Sequence, residues 1–339
     1  MTESSKKLLS FIAKIGLVLI LTISILKISG ELIERYTPWQ KYMDPRERLL
    51  WNGHYNGTKY VLFGDSEFSS MYVDSPDKTI WERFKFYSDQ DIFPGALVGS
   101  KREDFISAAK IIAASWPAGT TIFINIVPGR FFPTRLPQPV GGNYDYKFRR
   151  LILTCNFSDD PAKYIKNIAH CFIGKLSFLF KYDNVCKNLI AGLSTPPVYF
   201  KINERFNRIW NCDGDFALNS YKKLEENALP DKRIKSFPLI DQLQSKFSGK
   251  GYRIVFVLTP LNRDLILSYG SEKSALTIFN CFDQIHQDIK SYLASRGILS
   301  IDLYNACDSE CFADMNHTNE HGDEIVAKAL AEWIMSNPL

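Results

Sequence analysis

The sequence predicts an α/β protein: a doubly wound parallel sheet with a mainly helical insertion and an N-terminal transmembrane helix. Short apolar runs rich in β-branched and aromatic residues, each stopped by Gly or Pro, alternate with longer runs of helical periodicity. One long stretch, about 130–232, breaks that alternation. A third run, near the N-terminus, is almost wholly apolar. Alternating strand and helix signals require crossover connections, which cover both faces of a parallel sheet with helices.

The N-terminal run, Leu8 to Ile28, is almost wholly apolar and has Lys14 and Lys27 as its only charges, and a spanning helix needs roughly 20 apolar residues. Both lysines lie toward the ends, where their long side chains can snorkel to the interface. The segment Lys27-Ile-Ser-Gly30 offers no clear small-x-small cleavage site, so an uncleaved anchor is expected. Lys6 and Lys7 precede the span and Glu31, Glu34 and Arg35 follow it, which orients the N-terminus to the cytoplasm. The expected organisation is a cytoplasmic tail and anchor over 1–30, a juxtamembrane connector over 31–58 and an α/β domain over 59–339. Such a chain is a single-pass inner-membrane protein with its domain in the periplasm or otherwise outside the cytoplasm.

The first expected strand is Lys59-Tyr-Val-Leu-Phe-Gly64, the second Thr120 to Val127 before Pro128-Gly129, and the third Tyr252 to Leu258 before Thr259-Pro260. A weaker fourth is Ile298 to Asp302. Helical patterns fall between them, over Arg102 to Ala114, Ile234 to Phe247 and Phe282 to Ser295, with a last one over Glu320 to Met335. In this architecture the loops at the carboxyl ends of the strands carry the site. The insertion follows the second strand, where it could cover that site.

A hydrophobic content of 45% supplies a core for a chain of 339 residues. The net charge of +4 is small, and the basic residues are scattered among acidic ones, which argues against a nucleic-acid partner. Seven cysteines fit an oxidising compartment. They contain no CxxC pair, which argues against a structural zinc site; Cys307 with Cys311, and the group from Cys155 to Cys212, are disulfide candidates.

The chemistry centres on Phe63-Gly64-Asp65-Ser66-Glu67, at the end of the first strand. A serine is a weak nucleophile until a base takes its proton, and the chain has five histidines: His54, His170, His286, His317 and His321. Asp314-Met-Asn-His317 stands in a loop that runs into the last helix, so Asp314 can orient the imidazole while the other ring nitrogen faces the serine. Asp65 reads as a loop-bonding residue, and Glu67 fits either a structural or a chemical role. His54 falls in the connector, while His170 and His286 fall in helices without an evident partner. Phe84-Lys-Phe-Tyr87 and Phe131-Phe132 read as packing, the second pair lying next to the site. His317-Thr-Asn-Glu320-His321 also matches a zinc-peptidase pattern. That alternative needs both histidines on one helical face, whereas Asn319 and Gly322 mark a loop and a helix start, so no metal and no cofactor are expected.

With Gly-Asp-Ser after the first strand and Asp-x-x-His before the last helix, the chain resembles the GDSL/SGNH hydrolase superfamily, whose fold is a flavodoxin-like doubly wound sheet. The resemblance implies Ser66 as nucleophile, His317 as base and Asp314 as its orienter. It also implies an oxyanion hole from the backbone N–H groups of Ser66 and Gly99, in Leu97-Val-Gly-Ser-Lys-Arg-Glu-Asp104, with Gly95 as the weaker candidate. The family's third block, Gly-x-Asn after the next strand, is replaced here by Asn125-Ile-Val-Pro-Gly-Arg130, with Asn125 inside the strand. A missing oxyanion donor is worth about 2.7–4 kcal/mol of transition-state stabilisation. Arg130, a backbone amide or a partner protein must compensate, or hydrolysis is slow; Arg130 and Asn125 are the candidate substrate-binding residues. The altered block and the anchor look like the branch containing the D-alanine transfer protein DltD and the acyltransferases of exopolysaccharide acetylation. That likeness implies acyl transfer to, or removal from, a cell-envelope polysaccharide beside a membrane-bound O-acyltransferase. A catalytically weak, glycan-binding scaffold for such an acyltransferase is the alternative from another class.

Overall fold

The computed structural model describes residues 58–96 except 71, 102–131, and 231–338 except 269–270, together with residues 10–18, 20–22, 24, 25 and 28. The expected connector and insertion lie outside the described residues except at their edges. The chain divides into two compact units, Met1–Pro45 with Asn143–Thr195, and Arg46–Gly142 with Pro196–Leu339. In the first unit the described residues between 10 and 28 are helical. Among the described residues no helix is long and apolar enough to cross a membrane.

The second unit holds a five-stranded sheet: β1 (Tyr60–Phe63), β2 (Ile92–Pro94), β3 (Thr121–Ile126), β4 (Arg253–Leu258) and β5 (Ser300–Asp302). Its order is β2-β1-β3-β4-β5, and every pairing is parallel. The helices are α1 (Ile80–Ser88), α2 (Arg102–Ser115), α3 (Pro238–Ser248), α4 (Arg263–Ser268), α5 (Glu272–Ser295) and α6 (Glu320–Ser336). A doubly wound sheet of this order has its crevice between β1 and β3, where successive connections leave in opposite directions.

Period-two alternation divides the strand side chains between two cores. Val61, Phe63, Ile122, Ile124, Phe256 and Leu258 pack with Phe105 and Ile112 of α2, Leu243 and Phe247 of α3, and Phe282 and Ile289 of α5. On the other face Tyr60, Leu62, Phe123, Val255 and Val257 pack with Ile80 and Phe84 of α1 and with Val326, Leu330 and Ile334 of α6. Both faces are therefore apolar, which is why β1, β3 and β4 read as unbroken hydrophobic runs.

The structure adds three elements, β2, α1 and the short α4. β2 is a three-residue edge strand ending in Pro94, too short to register as a pattern and placed where a proline is tolerated. α1 buries Ile80 and Phe84, one turn apart, and is capped by the Thr79 hydroxyl, which accepts from the Glu82 N–H at 3.4 Å. Its aromatic density hides the period, because Phe86 in the same cluster is 81% exposed. α3 starts at Pro238 rather than Ile234, since proline fits the first helical position, where its missing N–H costs nothing. α5 starts at Glu272, earlier than Phe282, with the Ser271 hydroxyl accepting from the Ser274 N–H.

Phe123 is fully buried and meets Phe84 and Trp333 edge-on, at centroid distances of 6.4 and 5.6 Å. Phe123→Ala is expected to lower unfolding stability by about 3–5 kcal/mol through the cavity it leaves, read as a fall in the urea midpoint.

Candidate active site

β1 delivers the chain to Gly64, where it turns away from the sheet. In the pairing of β1 with β3, Phe63 lies opposite Ile124, which brings the next residue, Asn125, beside the turn. A Cβ on Gly64 would sit 1.7 Å from Asn125 Oδ1, so only glycine fits this crossing. Asn125 is 1% exposed. Its Oδ1 accepts from the Asp65 N–H at 3.0 Å, while its Nδ2 donates to the Asp65 carboxylate and, at 3.4 Å, to Glu67 Oε2. Asn125, a candidate substrate contact in the sequence, is thus placed as a buried brace for the turn. Ser66 opens the short 3-10 turn Ser66–Phe68.

The facing loop runs from β5 to α6 and is pinched at its neck. The Ala313 N–H donates to the His317 carbonyl at 2.9 Å and the Asn319 N–H to the Cys311 carbonyl at 3.0 Å, around an antiparallel bridge between Phe312 and Thr318. Inside the loop, Asp314 Oδ1 accepts the backbone N–H groups of Asn316 at 3.0 Å and His317 at 2.8 Å. Asn262, after β4, ties the loop down by donating its N–H to the Met315 carbonyl at 2.9 Å. At the exit Asn319 caps α6, accepting from the His321 N–H at 2.9 Å. Gly322 lets the helix approach closely, since a Cβ there would lie 2.5 Å from the Cys311 carbonyl oxygen.

The two loops bring together the three residues singled out in the sequence. His317 Nε2 lies 2.8 Å from Ser66 Oγ, and His317 Nδ1 lies 2.7 Å from Asp314 Oδ2. A carboxylate at Nδ1 selects the tautomer protonated there and leaves the Nε2 lone pair facing the serine hydroxyl. Burial opposes the charge on Asp314, but His317 and the two backbone N–H groups outweigh it and hold the carboxyl below its usual range. The ring of Tyr72 tilts against the imidazole at 5.6 Å, and burial together with the Asp314 carboxylate pushes its phenol up.

A second link joins the loops. Glu67, 8% exposed, accepts from Asn316 Nδ2 at Oε1, while Oε2 lies 3.4 Å from Ser66 Oγ. Burial, helped by the Asp314 charge, raises the Glu67 carboxyl to about 7 against the hydrogen bonds from its own backbone N–H, Asn316 and Ser66. Asp323, fully buried in the first turn of α6, accepts from the Thr318 hydroxyl at 2.5 Å. Burial raises it to about 7 as well. Asn316, Asn262 and Tyr72 were not singled out in the sequence. Only Asn316 carried a signal there, by lying between Asp314 and His317.

The remaining candidates fall elsewhere. Gly99 is outside the described residues. The Gly95 N–H donates to the Leu62 carbonyl at 2.7 Å and to the Phe93 carbonyl at 3.0 Å, so it is engaged by the fold. Arg130 lies in the 3-10 turn Pro128–Phe131 directly after β3, and its side chain is outside the described ones. Cys307 and Cys311, a disulfide candidate in the sequence, are free thiols. Cys311 Sγ donates to Asp308 Oδ1 at 3.2 Å, and burial pushes Cys307 up to about 12. His286 has the partner its sequence context hid: its Nε2 lies 2.9 Å from Asp302 Oδ1, and its ring stacks on Tyr304 at 4.0 Å.

For the zinc alternative, both ring nitrogens of His317 are engaged by Ser66 and Asp314, and Glu320 pairs with Lys78. His321 points to solvent with 69% of its side chain exposed. Among the described residues no group of three His, Cys, Asp or Glu could hold a metal ion.

No family model matches the chain, and no curated protein does. Among solved structures it is similar to a member of the lipolytic protein G-D-S-L family from Veillonella parvula, at 15% identity and TM-score 0.37, over 81% of this chain and 97% of that one. It is similar also to phospholipase A1 from Streptomyces albidoflavus, at 13% identity and TM-score 0.36, over 80% and 98% of the two chains. An extracellular lipase from Streptomyces rimosus follows at 14% identity and TM-score 0.35, over 83% and 99%. A likeness this distant carries no argument; the strand order and the distances within the site stand by themselves.

Asn125→Ala would leave the Asp65 N–H and carboxylate without their buried partner. It is expected to cost about 1–3 kcal/mol of stability, measured by urea unfolding. Asp323 behaves oppositely to a paired surface carboxylate. Its raised folded-state value, about 7, means the folded protein holds a proton that the unfolded chain releases. Its contribution is complete below the ordinary carboxylate range and is lost as pH rises through about 7. Asp323→Asn is therefore expected to gain stability relative to the unmodified protein as pH rises from about 4 to about 8. Parallel urea midpoints across that range would exclude this reading.

Proposed function

We propose that the chain is a serine acyl-enzyme of the SGNH type, held in the cell membrane by its N-terminal helix with its domain outside, acting on an envelope polysaccharide. The observation that carries the chemistry is the unbroken hydrogen-bonded run from Ser66 Oγ through His317 to Asp314, at 2.8 and 2.7 Å. Ser66 Oγ attacks the acyl carbonyl while His317 Nε2 takes its proton, and Asp314 stabilises the imidazolium so formed. The tetrahedral oxyanion is met by the Ser66 N–H, which as the first amide of its turn has no acceptor within it. His317 then returns the proton to the leaving oxygen, and the ester on Ser66 is resolved by a sugar hydroxyl or by water, again through His317. The first outcome is O-acyl transfer and the second esterase activity; we favour transfer.

The anchor is supported by the apolar run itself and by its exposure in the described residues. Phe11, Ile12, Leu17, Val18, Ile20 and Ile25 stand 59–63% exposed, a surface suited to lipid. An anchored domain is within reach of a membrane-bound O-acyltransferase, the partner that would supply the acyl group. The engagement of Asn125 and Gly95 by the fold favours a second reading, a glycan-binding scaffold of such an acyltransferase with little turnover of its own.

A fluorophosphonate probe separates the two. The enzyme reading expects labelling and p-nitrophenyl acetate hydrolysis that Ser66→Ala abolishes and that Asp314→Asn lowers by about 10³–10⁴-fold. Folded protein that takes no label would leave the scaffold reading standing and end the enzymatic one.

A further inference from the structure

An oxyanion needs more than one preorganised donor, and among the described residues two neutral candidates other than the Ser66 N–H are occupied. The Gly95 N–H is bonded to the Leu62 and Phe93 carbonyls, and the Asn125 amide is bonded to Asp65 at both of its ends. Apart from His317, the side-chain group hydrogen-bonded to Ser66 Oγ is the Glu67 carboxyl, with Oε2 at 3.4 Å. An oxyanion formed at the carbon bonded to Oγ would stand within reach of that oxygen. We propose that Glu67 Oε2, carrying a proton, is a hydrogen-bond donor to the oxyanion formed on Ser66, and thereby a further catalytic residue of the acyl transfer.

The inference rests on the serine acyl-enzyme reading given above and deepens it. The two carboxyl oxygens already divide the work. Oε1 accepts from Asn316 Nδ2, which suits the carbonyl oxygen of a neutral acid, while Oε2 has only long contacts, with Ser66 Oγ and with Asn125 Nδ2, both at 3.4 Å, and can hold the proton. A carboxylate in the same place would set a negative charge against the oxyanion, so the neutral form is the one the chemistry requires. Buried surroundings can keep a carboxylic acid neutral and donating near pH 7, and burial places Glu67 at about 7.

The groups facing Glu67 agree with that state. The nucleophile turn contributes Ser66 and the Asp65 carboxylate, itself bonded to Asn125. β3 contributes only the Asn125 amide. The loop before α6 contributes Asn316, the Asp314 carboxylate, which raises Glu67 further, and the His317 imidazole, against which Tyr72 is packed. Glu67 gives a hydrogen bond and keeps its proton: the proton leaving Ser66 goes to His317 and on to the leaving oxygen, so the balance of the reaction is unchanged.

The test uses the full chain and the labelling rate with a fluorophosphonate, whose phosphoryl oxygen gathers charge as the carbonyl oxygen would. Over about pH 5.5 to 9 the unmodified protein is expected to lose rate on the alkaline side as Glu67 ionises. Glu67→Gln keeps a donor that does not ionise, so it should retain the rate to within about tenfold and lose the alkaline fall. Glu67→Ala should label about 100-fold more slowly. A merely structural role would lower the rate equally at every pH. The inference is overturned if Glu67→Gln keeps the alkaline fall, or if folded Glu67→Ala labels as fast as the unmodified protein. Should Glu67→Ala fail to fold, the pH profile of Glu67→Gln decides alone. Labelling that persists in Ser66→Ala, or is absent from the unmodified protein, ends the serine reading and this inference with it; Ser66-dependent labelling with the alkaline fall intact in Glu67→Gln ends this inference only.

Discussion

The hydrogen bonds between Asn125 and Asp65 are the constraint on which the site depends. A serine at the tip of a strand is useful only if the turn that carries it has a single position, and turns at strand ends are held by few contacts. Here the neighbouring strand β3 reaches across, accepting the Asp65 N–H and donating to its carboxylate inside a core where no water competes. The requirement spreads outward along the chain. Gly64 must be glycine because the Asn125 amide occupies the space of its Cβ, and β1 must pair with β3 in the register that sets Phe63 opposite Ile124. One buried amide thus ties the position of Ser66 to the order of the strands.

Much of the fold was legible because its central strands are buried on both faces. Runs such as Ile122-Phe-Ile124 and Val255-Phe-Val-Leu258 leave no polar alternative, and Ser66, Asp314 and His317 stood out because Gly and helix-start signals flank them. What was hidden had physical causes. β2 and α1 are too short or too aromatic to show a period. The brace role of Asn125 depends on a cross-strand neighbour, and no local pattern reports which strands are neighbours. For the same reason His286 seemed partnerless, although Asp302, sixteen positions on, holds its Nε2 at 2.9 Å. Glu67 is opaque for a different reason: it is polar in a polar stretch, and only its burial distinguishes it from a solvated loop residue.

Three buried carboxyl groups near the imidazole differ in charge because they differ in partners. Asp314 meets two backbone N–H groups and a ring N–H, so its anion is held below the usual range in spite of burial. Glu67 meets mainly amides and stands near the Asp314 charge, and its burial is not offset. Asp323 meets the Thr318 and Ser70 hydroxyls and feels Arg83 and His317 at a distance, again too little to offset burial. A single carboxylate held below the usual range therefore pairs with the imidazole, while the other two keep their protons up to about pH 7. Three anions within one small site would each raise the cost of the oxyanion that the proposed chemistry forms.

The two loops are joined twice, and the joints do different work. In the proposed acyl transfer Ser66 and His317 exchange a proton, so their bond must break and reform during a reaction. Glu67 and Asn316 have no such duty: their bond can persist while the imidazole changes charge, which keeps the serine and histidine at working distance when their own hydrogen bond is lost. Positioning of this kind matters because displacement by about 1 Å can cost about 10²-fold in rate. Neither joint would form without the two buried anchors behind them, Asn125 beneath the nucleophile turn and Asn262 beneath the Asp314 loop. The anchors come from β3 and from the turn after β4, which lie side by side in the sheet. Adjacent strands therefore hold two loops that are distant in the chain, and the parallel order that makes β3 and β4 neighbours sets the reach between serine and histidine.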